Sequence, residues 1–146
     1  MKITYRQMTR ADADGVFAMM RDFYTSPAVA SDGSAEIYRA DIEACLSPDL
    51  PLTGYVFVMD GALAGYAMTA HSFSTEYGRP CIWIEDLYLL PAARGQGTGK
   101  RFLTELAERH PEALLRLEAE TENAPAVHAY RAVGFEDVPY LELWKK

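Results

Sequence analysis

The run EDLYLLPAARGQGTGK, Glu85 to Lys100, restricts the fold of this chain more than any other stretch. An apolar strand pattern, a proline stop, three closely spaced glycines and a helix start follow one another without interruption. A strand that feeds a glycine-rich turn opening a helix leaves backbone N–H groups unpaired and aimed at one point, with the positive end of the helix dipole behind them. Such a turn suits a phosphate. A P-loop needs four residues between its glycines and then Lys with Ser or Thr, but here Lys100 is followed by Arg101 and no hydroxyl is placed for magnesium. A dinucleotide fingerprint needs G-x-G-x-x-G, whereas Gly95, Gly97 and Gly99 read G-x-G-x-G; Glu118 stands near the offset of its ribose-binding acid.

At 146 residues the chain is expected to form a single domain, 1–146, able to bury a sizeable core. No run approaches the roughly 18 apolar residues of a membrane helix, and no charged-then-apolar leader follows Met1, so a cytoplasmic protein is expected. Cys45 and Cys81 read as buried free thiols rather than a disulfide, and with three scattered histidines no metal-ligand spacing exists. A formal charge of −7 argues against a nucleic-acid partner, because affinity for a phosphate backbone comes from clustered Lys and Arg. An anionic surface favours encounter with a cationic small molecule, although acidic chains are also simply soluble.

Along the chain, Lys2–Met8 alternates as a half-buried strand. Thr9 with Asp12 opens a helix whose face carries Ala13, Val16, Phe17, Met20, Phe23 and Tyr24. Pro27, Asp32 and Gly33 break it, and a second helix, about Ala35 to Leu46, presents Ile37, Ile42 and Cys45. Tyr55–Met59 and Leu63–Ala70 flank the hairpin pair Asp60-Gly61. A polar connection, His71–Pro80, leads to a central strand, Cys81–Leu90. The next helix, about Gly97 to His110, buries Phe102, Leu103, Leu106 and Ala107. After a strand at Leu114–Ala119, Pro125 starts a helix carrying Ala126, Val127, Tyr130 and Val133 that Gly134 ends. Phe135–Trp144 reads as two short strands around Pro139. The order β-α-α-β-β-β-α-β-α-β-β implies an α+β layer architecture.

The string R-x-x-G-x-G at Arg94, Gly97 and Gly99 resembles the acetyl-CoA pyrophosphate loop of the GNAT acetyltransferase superfamily. N123-A-P-A-V-H-A-Y130-R-A-V-G134-F135 resembles that superfamily's second signature, about thirty residues downstream. The string IED at Ile84–Asp86 is similar to that of spermidine acetyltransferases. The resemblance implies a mixed α/β GNAT-like fold: a central, twisted, largely antiparallel sheet of about six or seven strands with a splayed central pair, flanked by about four helices. It implies acetyl-CoA as co-substrate, no metal, and a primary amine acceptor.

Carried over residue by residue, Leu87 and Leu89 would bind the pantetheine arm through backbone groups in the manner of strand addition, or else be core residues. Arg94, Gly95, Gln96, Gly97, Thr98, Gly99 and Lys100 would cradle the pyrophosphate. Asn123 would hydrogen-bond the arm, cap the helix before Pro125, or do both. An alkyl amine has a pKa near ~10.4 and must lose a proton to attack. The resemblance makes Glu85 the base, directly or through water, against a surface or ion-paired carboxylate. Alternation sets Glu85 on the side of Leu87 and Leu89 unless a bulge intervenes, and sets Asp86 opposite, suited to a buried structural role. Tyr130 would protonate the leaving thiolate or hydrogen-bond its sulfur, against simple packing on the sheet. His128 falls on another helix face and reads as solvated. His71, Glu76, Tyr77, Tyr24, Glu36 and Tyr38 are candidates for the acceptor pocket.

The expected function is therefore N-acetyl transfer to a small cationic amine, a polyamine, or a peptide or amino-acid amine, by direct attack in a ternary complex. The alternatives are a non-catalytic acyl-CoA-binding or sensing domain and, against the loop spacing, a nucleotide-binding regulatory domain. Tyr140, Leu141, Leu143 and Trp144 would either complete the sheet or form the shared edge of a homodimer.

Overall fold

A computed structural model describes residues 2–30 and 33–146; Met1 and the expected helix-breaker Asp32 lie outside it. The strands are β1 (Ile3–Gln7), β2 (Leu52–Met59), β3 (Ala62–Ser74), β4 (Arg79–Leu89) and β5 (Leu114–Leu117). The helices are α1 (Ala13–Tyr24), α2 (Ala35–Leu46), α3 (Thr98–Arg109) and α4 (Ala124–Ala132). One sheet runs in the order β1-β2-β3-β4-β5. Its pairings are antiparallel except for β4 with β5, which are parallel.

Local chemistry sets the element ends. Asp12 accepts the Thr9 N–H at 2.8 Å and the Thr9 hydroxyl at 3.1 Å, and two Arg6 nitrogens at 2.8 and 2.9 Å. The start of α1 is thereby tied to the strand before it. Ser34 Oγ accepts the Ile37 N–H at 3.2 Å and caps α2. Asp60 (φ 52) and Gly61 (φ 79) form the left-handed turn that a two-residue hairpin requires.

Each sheet face carries its own core. Val16, Met20, Tyr38 and Ile42 from α1 and α2 pack on Val56, Tyr66 and Met68. On the other face Phe102, Leu103 and Leu106 of α3 pack on Phe57, Ala67, Ile82 and Ile84. Phe102 meets the rings of Tyr5, Tyr55 and Phe57 at 5.1, 5.2 and 5.4 Å, pairs that each add roughly 0.5–1.5 kcal/mol beyond burial.

The structure corrects several expectations. The described sheet has five strands, not six or seven, because residues 135–146 join no strand ladder. Pro139 supplies no N–H to a ladder there, and the flanking apolar side chains point into solvent. β4 therefore lies next to the edge rather than at the centre. The connection expected from His71 to Pro80 shrinks to a turn, since β3 continues to Ser74 and β4 begins at Arg79. On α2, Tyr38 takes the buried position and Ile37 is exposed; on α3, Ala107 is exposed.

The correction with most consequence is in β4. Met68 pairs with Asp86 but the next residue, Thr69, pairs with Ile84, leaving Glu85 as an extra residue in a β-bulge. Side chains before and after the bulge keep opposite parity, so Ile82, Ile84, Leu87 and Leu89 all contact the α3-side core. Asp86 and Tyr88 face α1 and α2. A Cβ at Gly65 would run into the Tyr88 carbonyl oxygen, so β3 and β4 keep this register only with glycine there.

Candidate functional site

β5 pairs with β4 from Cys81↔Leu114 to Ile84↔Leu117 and then ends. Among the described residues no strand lies on that side of β4 from Glu85 onward. The Leu90 N–H bonds to the Ala64 carbonyl at 2.8 Å, so by strand alternation the main-chain groups of Leu89 and Leu87 point the other way, into the gap. Arg94 Nε already donates to the Leu89 carbonyl at 2.8 Å, and its guanidinium lies 5.5 Å from the Tyr88 ring centroid. Arg94 thus braces the strand end rather than reaching freely over the loop.

A cleft of about 750 Å³ occupies the gap. Glu85, Leu87, Leu89 and Arg94 line one wall, and Leu117, Glu118, Asn123 and Tyr130 the other. Arg94 of the cleft wall leads into the glycine turn, with Gly95 (φ 78) and Gly97 (φ 74) in the left-handed conformation that glycine adopts without strain. No backbone acceptor pairs the N–H groups from Gly95 to Lys100 among the described residues. Thr98 is buried beneath the turn, Lys100 is exposed, and Gln96 reaches back to the Ala92 carbonyl at 3.4 Å. A concave array of free amides at a helix start fits a pyrophosphate, and the unpaired β4 edge fits an amide-bearing arm.

Asn123 is the residue before α4, but its side chain makes no capping bond and lines the cleft. Tyr130 projects from α4 onto the α3-side core beside Phe135, ring centroids 6.2 Å apart. Burial pushes its hydroxyl up from the usual phenol value, so at neutral pH it is a proton donor.

The bulge alters the expected facing of Glu85. With the bulge intervening, alternation no longer sets Glu85 with Leu87 and Leu89: it lines the cleft, and its charge reaches Tyr24 of α1, Asp41 of α2 and Glu118. Burial, then the charge of Asp86, raises its pKa. Asp86 is 5% exposed and accepts the Tyr24 hydroxyl at 2.8 Å and the Tyr66 hydroxyl at 2.7 Å. Burial raises Asp86 although both hydrogen bonds pull the other way. Asp41 is pushed up to about 6 by burial and by the charges of Asp86 and Glu85. None of these three carboxylates has a salt-bridge partner among the described residues.

Of the acceptor-pocket candidates, Tyr24 and Tyr38 come together, 5.6 Å between centroids, beside this acidic group. Glu36 is exposed, and His71 pairs with His110 rather than with the cleft. Glu76 and Tyr77 line a different groove, and His128 is exposed. Sequence reasoning missed Asp41, one turn beyond Tyr38 on α2, because the helix pattern was anchored on Ile37. It also missed Tyr66, which alternation with Met68 on β3 marks as core-facing, and it weighed Glu118 only as a ribose ligand. Glu118 lies across the cleft, where a hydrogen bond to Glu142, burial, and the charges of Glu142 and Glu85 push it up to about 7.

Both cysteines are free and buried. Burial first, then Asp41 and Asp86, pushes the Cys45 thiol up to about 12, so it is not a nucleophile at neutral pH. Among the described residues no His, Cys, Asp or Glu grouping could hold a metal, and no helix is long and apolar enough to cross a membrane.

Comparison with known proteins follows the same lines. The model of the Acetyltransferase (GNAT) family matches residues 16–135. Streptothricin acetyltransferase of Streptomyces lavendulae is 38% identical over 79 residues, 52% of this chain and 40% of that protein. Thialysine N-epsilon-acetyltransferase of Bos taurus is 35% identical over 85 residues, 56% of this chain and 49% of that protein. The similarity thus spans less than half the length of these two relatives. The solved aminoglycoside N-acetyltransferase AAC(6')-Iy in complex with CoA superposes with a TM-score of 0.80 at 18% identity, over 99% of this chain and 95% of that one, and so shares the fold.

Proposed function

This chain belongs to the acetyltransferase (GNAT) family, and on that footing we propose that it transfers the acetyl group of acetyl-CoA to a small cationic primary amine, by direct attack within a ternary complex. The observation that carries the proposal is the end of β4–β5 pairing at Glu85, which opens a strand edge between the glycine turn and the carboxylates of β4. Acetyl-CoA would supply the activated thioester. The free amides of Gly95 to Lys100 hold its pyrophosphate, and the backbone of Leu87 and Leu89 with Asn123 aligns its arm. Several amides must act together, because one helix terminus contributes only roughly 0.3–2 kcal/mol toward an anion.

Glu85 accepts the ammonium proton, directly or through water, so that the nitrogen lone pair can form the N–C bond. Its raised pKa makes it a better base than an ordinary carboxylate. As the C–S bond breaks, the Tyr130 hydroxyl supplies the proton taken up by sulfur. Fixing both partners along one strand edge provides the larger share of rate enhancement through orientation. The uncompensated charges of Glu85, Asp86 and Asp41 favour a cation on the α1–α2 side, which supports a cationic acceptor over a neutral one. The named relatives act on streptothricin and thialysine.

The test is release of free thiol from acetyl-CoA with a panel of polyamines, thialysine and other amino acids, and aminoglycosides. Cationic small amines should promote release; Glu85→Gln and Tyr130→Phe should each lower kcat by about 100-fold or more without changing affinity for CoA. Binding of acetyl-CoA with no release by any amine would favour a sensing domain instead. A melting temperature raised by ATP or NAD and not by CoA would point to nucleotide binding.

A further inference from the structure

Two cavities meet at the end of β5. One is the cleft of about 750 Å³; the other is a groove of about 670 Å³ lined by β5 and residues 133–142. Among the described residues Leu117 and Glu118 alone line both. Leu117 is apolar, so Glu118 carries the one titratable group common to the two cavities. Glu120 and Glu122 border only the cleft, and Glu136, Asp137 and Glu142 only the groove.

The sheet register accounts for this position. Ile84↔Leu117 is the last rung between β4 and β5, so Glu85 and Glu118 are the first residues beyond it on their two strands. They stand on opposite walls of the cleft, and the charge of Glu85 raises the pKa of Glu118. Toward the groove, Glu118 hydrogen-bonds Glu142, a contact between two carboxyl groups that requires a proton between them. Arg116 does not neutralise it: that guanidinium lies over the Trp83 ring at 4.7 Å, and Glu118 has no ion-pair partner among the described residues. The other carboxylates near Glu85 offer no way out. Asp86 is buried and held by the Tyr24 and Tyr66 hydroxyls, and Asp41 lines neither cavity.

Acetyl transfer leaves one proton to be removed in every turnover. Of the three N–H protons of an ammonium, one stays in the amide and one replaces the proton that Tyr130 gives to the CoA sulfur. The third passes to Glu85 and must leave before the next acceptor is deprotonated. With acetyl-CoA laid along β4 the cleft is filled, and the direct route from Glu85 to bulk water is closed. We propose that Glu118 is the relay that carries this proton from Glu85 into the second groove, an inference that rests on the acetyl-transfer reading. The O–H bond of the Glu85 carboxyl breaks as a Glu118 oxygen takes the proton, directly or through one water. The proton is then held between Glu118 and Glu142 and passes to water in the groove, which restores all three carboxyl groups to their starting states. A carboxyl held near neutrality by its partner both accepts and releases a proton readily at neutral pH.

The experiment compares the full chain with Glu118→Gln and Glu118→Asp, using acetyl-CoA and the cationic amine that releases thiol fastest from the wild type. Glutamine keeps a hydrogen bond to Glu142 but cannot carry a proton; circular dichroism and CoA affinity check that the fold and the cofactor site are intact. In dilute buffer Glu118→Gln should lower kcat by at least about 10-fold, less than loss of the base itself, with KM for acetyl-CoA unchanged. Imidazole, small enough to enter the groove, should restore that rate in proportion to its concentration and leave the wild type unaffected. Glu118→Asp should keep most of the activity. Carboxyl carbon NMR of the CoA-loaded wild type gives a readout without turnover: Glu118 should still titrate while CoA fills the cleft. Three results overturn the inference: a wild-type kcat in Glu118→Gln, a loss that imidazole does not restore, or a Glu118 resonance that stops titrating when CoA binds. A wild type that releases no thiol with any amine removes the acetyl-transfer reading, and the relay with it.

Discussion

Tyr66 donates its hydroxyl hydrogen to Asp86 at 2.7 Å, within the sheet face covered by α1 and α2. The next residue back along β4, Glu85, stands in the bulge with no ion-pair partner among the described residues. One residue of offset separates a carboxylate held by two tyrosines from one with a raised pKa that borders the cleft.

Asp86→Ala leaves the Tyr66 and Tyr24 hydroxyls without their acceptor and should lower unfolding free energy by about 2–4 kcal/mol in urea titration. The pH dependence has a definite sign. The folded chain keeps the Asp86 proton to higher pH than the unfolded chain does, so its contribution is greatest below the ordinary aspartate value of ~3.9. It declines as pH rises toward the raised value. Asp86→Asn should remove that decline.

Asp12 has the opposite sign. Its hydrogen bonds to Arg6, then those to Thr9, hold its pKa down at about 2. The stability it contributes is present above its ordinary value and is lost as pH falls through about 2. Asp12→Asn should cost roughly 0.5–2 kcal/mol at neutral pH, the range for a lost helix cap, and should show a shallower loss of stability in acid.

The pH profile of kcat/KM should have an acidic limb above the ordinary glutamate value of ~4.3, because Glu85 must be ionised to accept a proton and its pKa is raised. Initial-rate measurements across pH should find the limb missing in Glu85→Gln. The limb should persist in Asp41→Asn; a limb that followed Asp41 instead would move the base to α2.

Asp41→Asn should raise KM for a cationic acceptor by about 10-fold, one lost charge interaction, while leaving KM for acetyl-CoA unchanged. Steady-state kinetics with each substrate varied in turn separates the two. An equal rise in both would place Asp41 on the donor side.

Gly97 and Gly99 should respond differently to alanine. Gly97 sits at φ 74, so a side chain there strains the turn itself. Gly99 lies inside α3 with ordinary φ, and a Cβ there would meet only Leu87 Cδ2 at 3.8 Å. Gly99→Ala should therefore stabilise the chain by up to about 1 kcal/mol through helix propensity, yet weaken CoA binding where the methyl group intrudes on the phosphate. Thermal melting with and without CoA reads both effects.

How much of this was legible beforehand follows from the range of the forces involved. Local signals were readable: Thr9 with Asp12 at the first helix start, Asp60-Gly61 turning the hairpin, and the glycine turn opening α3 are each set by a few neighbouring residues. The parity of Glu85 was not, because a bulge is defined only against the partner strand, here by the change from Met68↔Asp86 to Thr69↔Ile84. Tyr24 and Asp41 come from separate helices, and only packing brings them to Asp86. The run from Phe135 to Trp144 has the composition of a strand, but a strand exists only where an edge accepts it.

The bulge also sets how this chain can tolerate insertions and deletions. Removing Glu85, the extra residue, would restore unbroken alternation and leave every other side chain of β4 on the sheet face it now occupies. Ile84 and Leu87 would still meet the core beneath α3 and Asp86 the tyrosines, and only the bulged carboxylate would be lost. A homologue one residue shorter at the bulge keeps both cores and loses this carboxylate, so length there is tied to the chemistry of the cleft and not to the packing of the sheet.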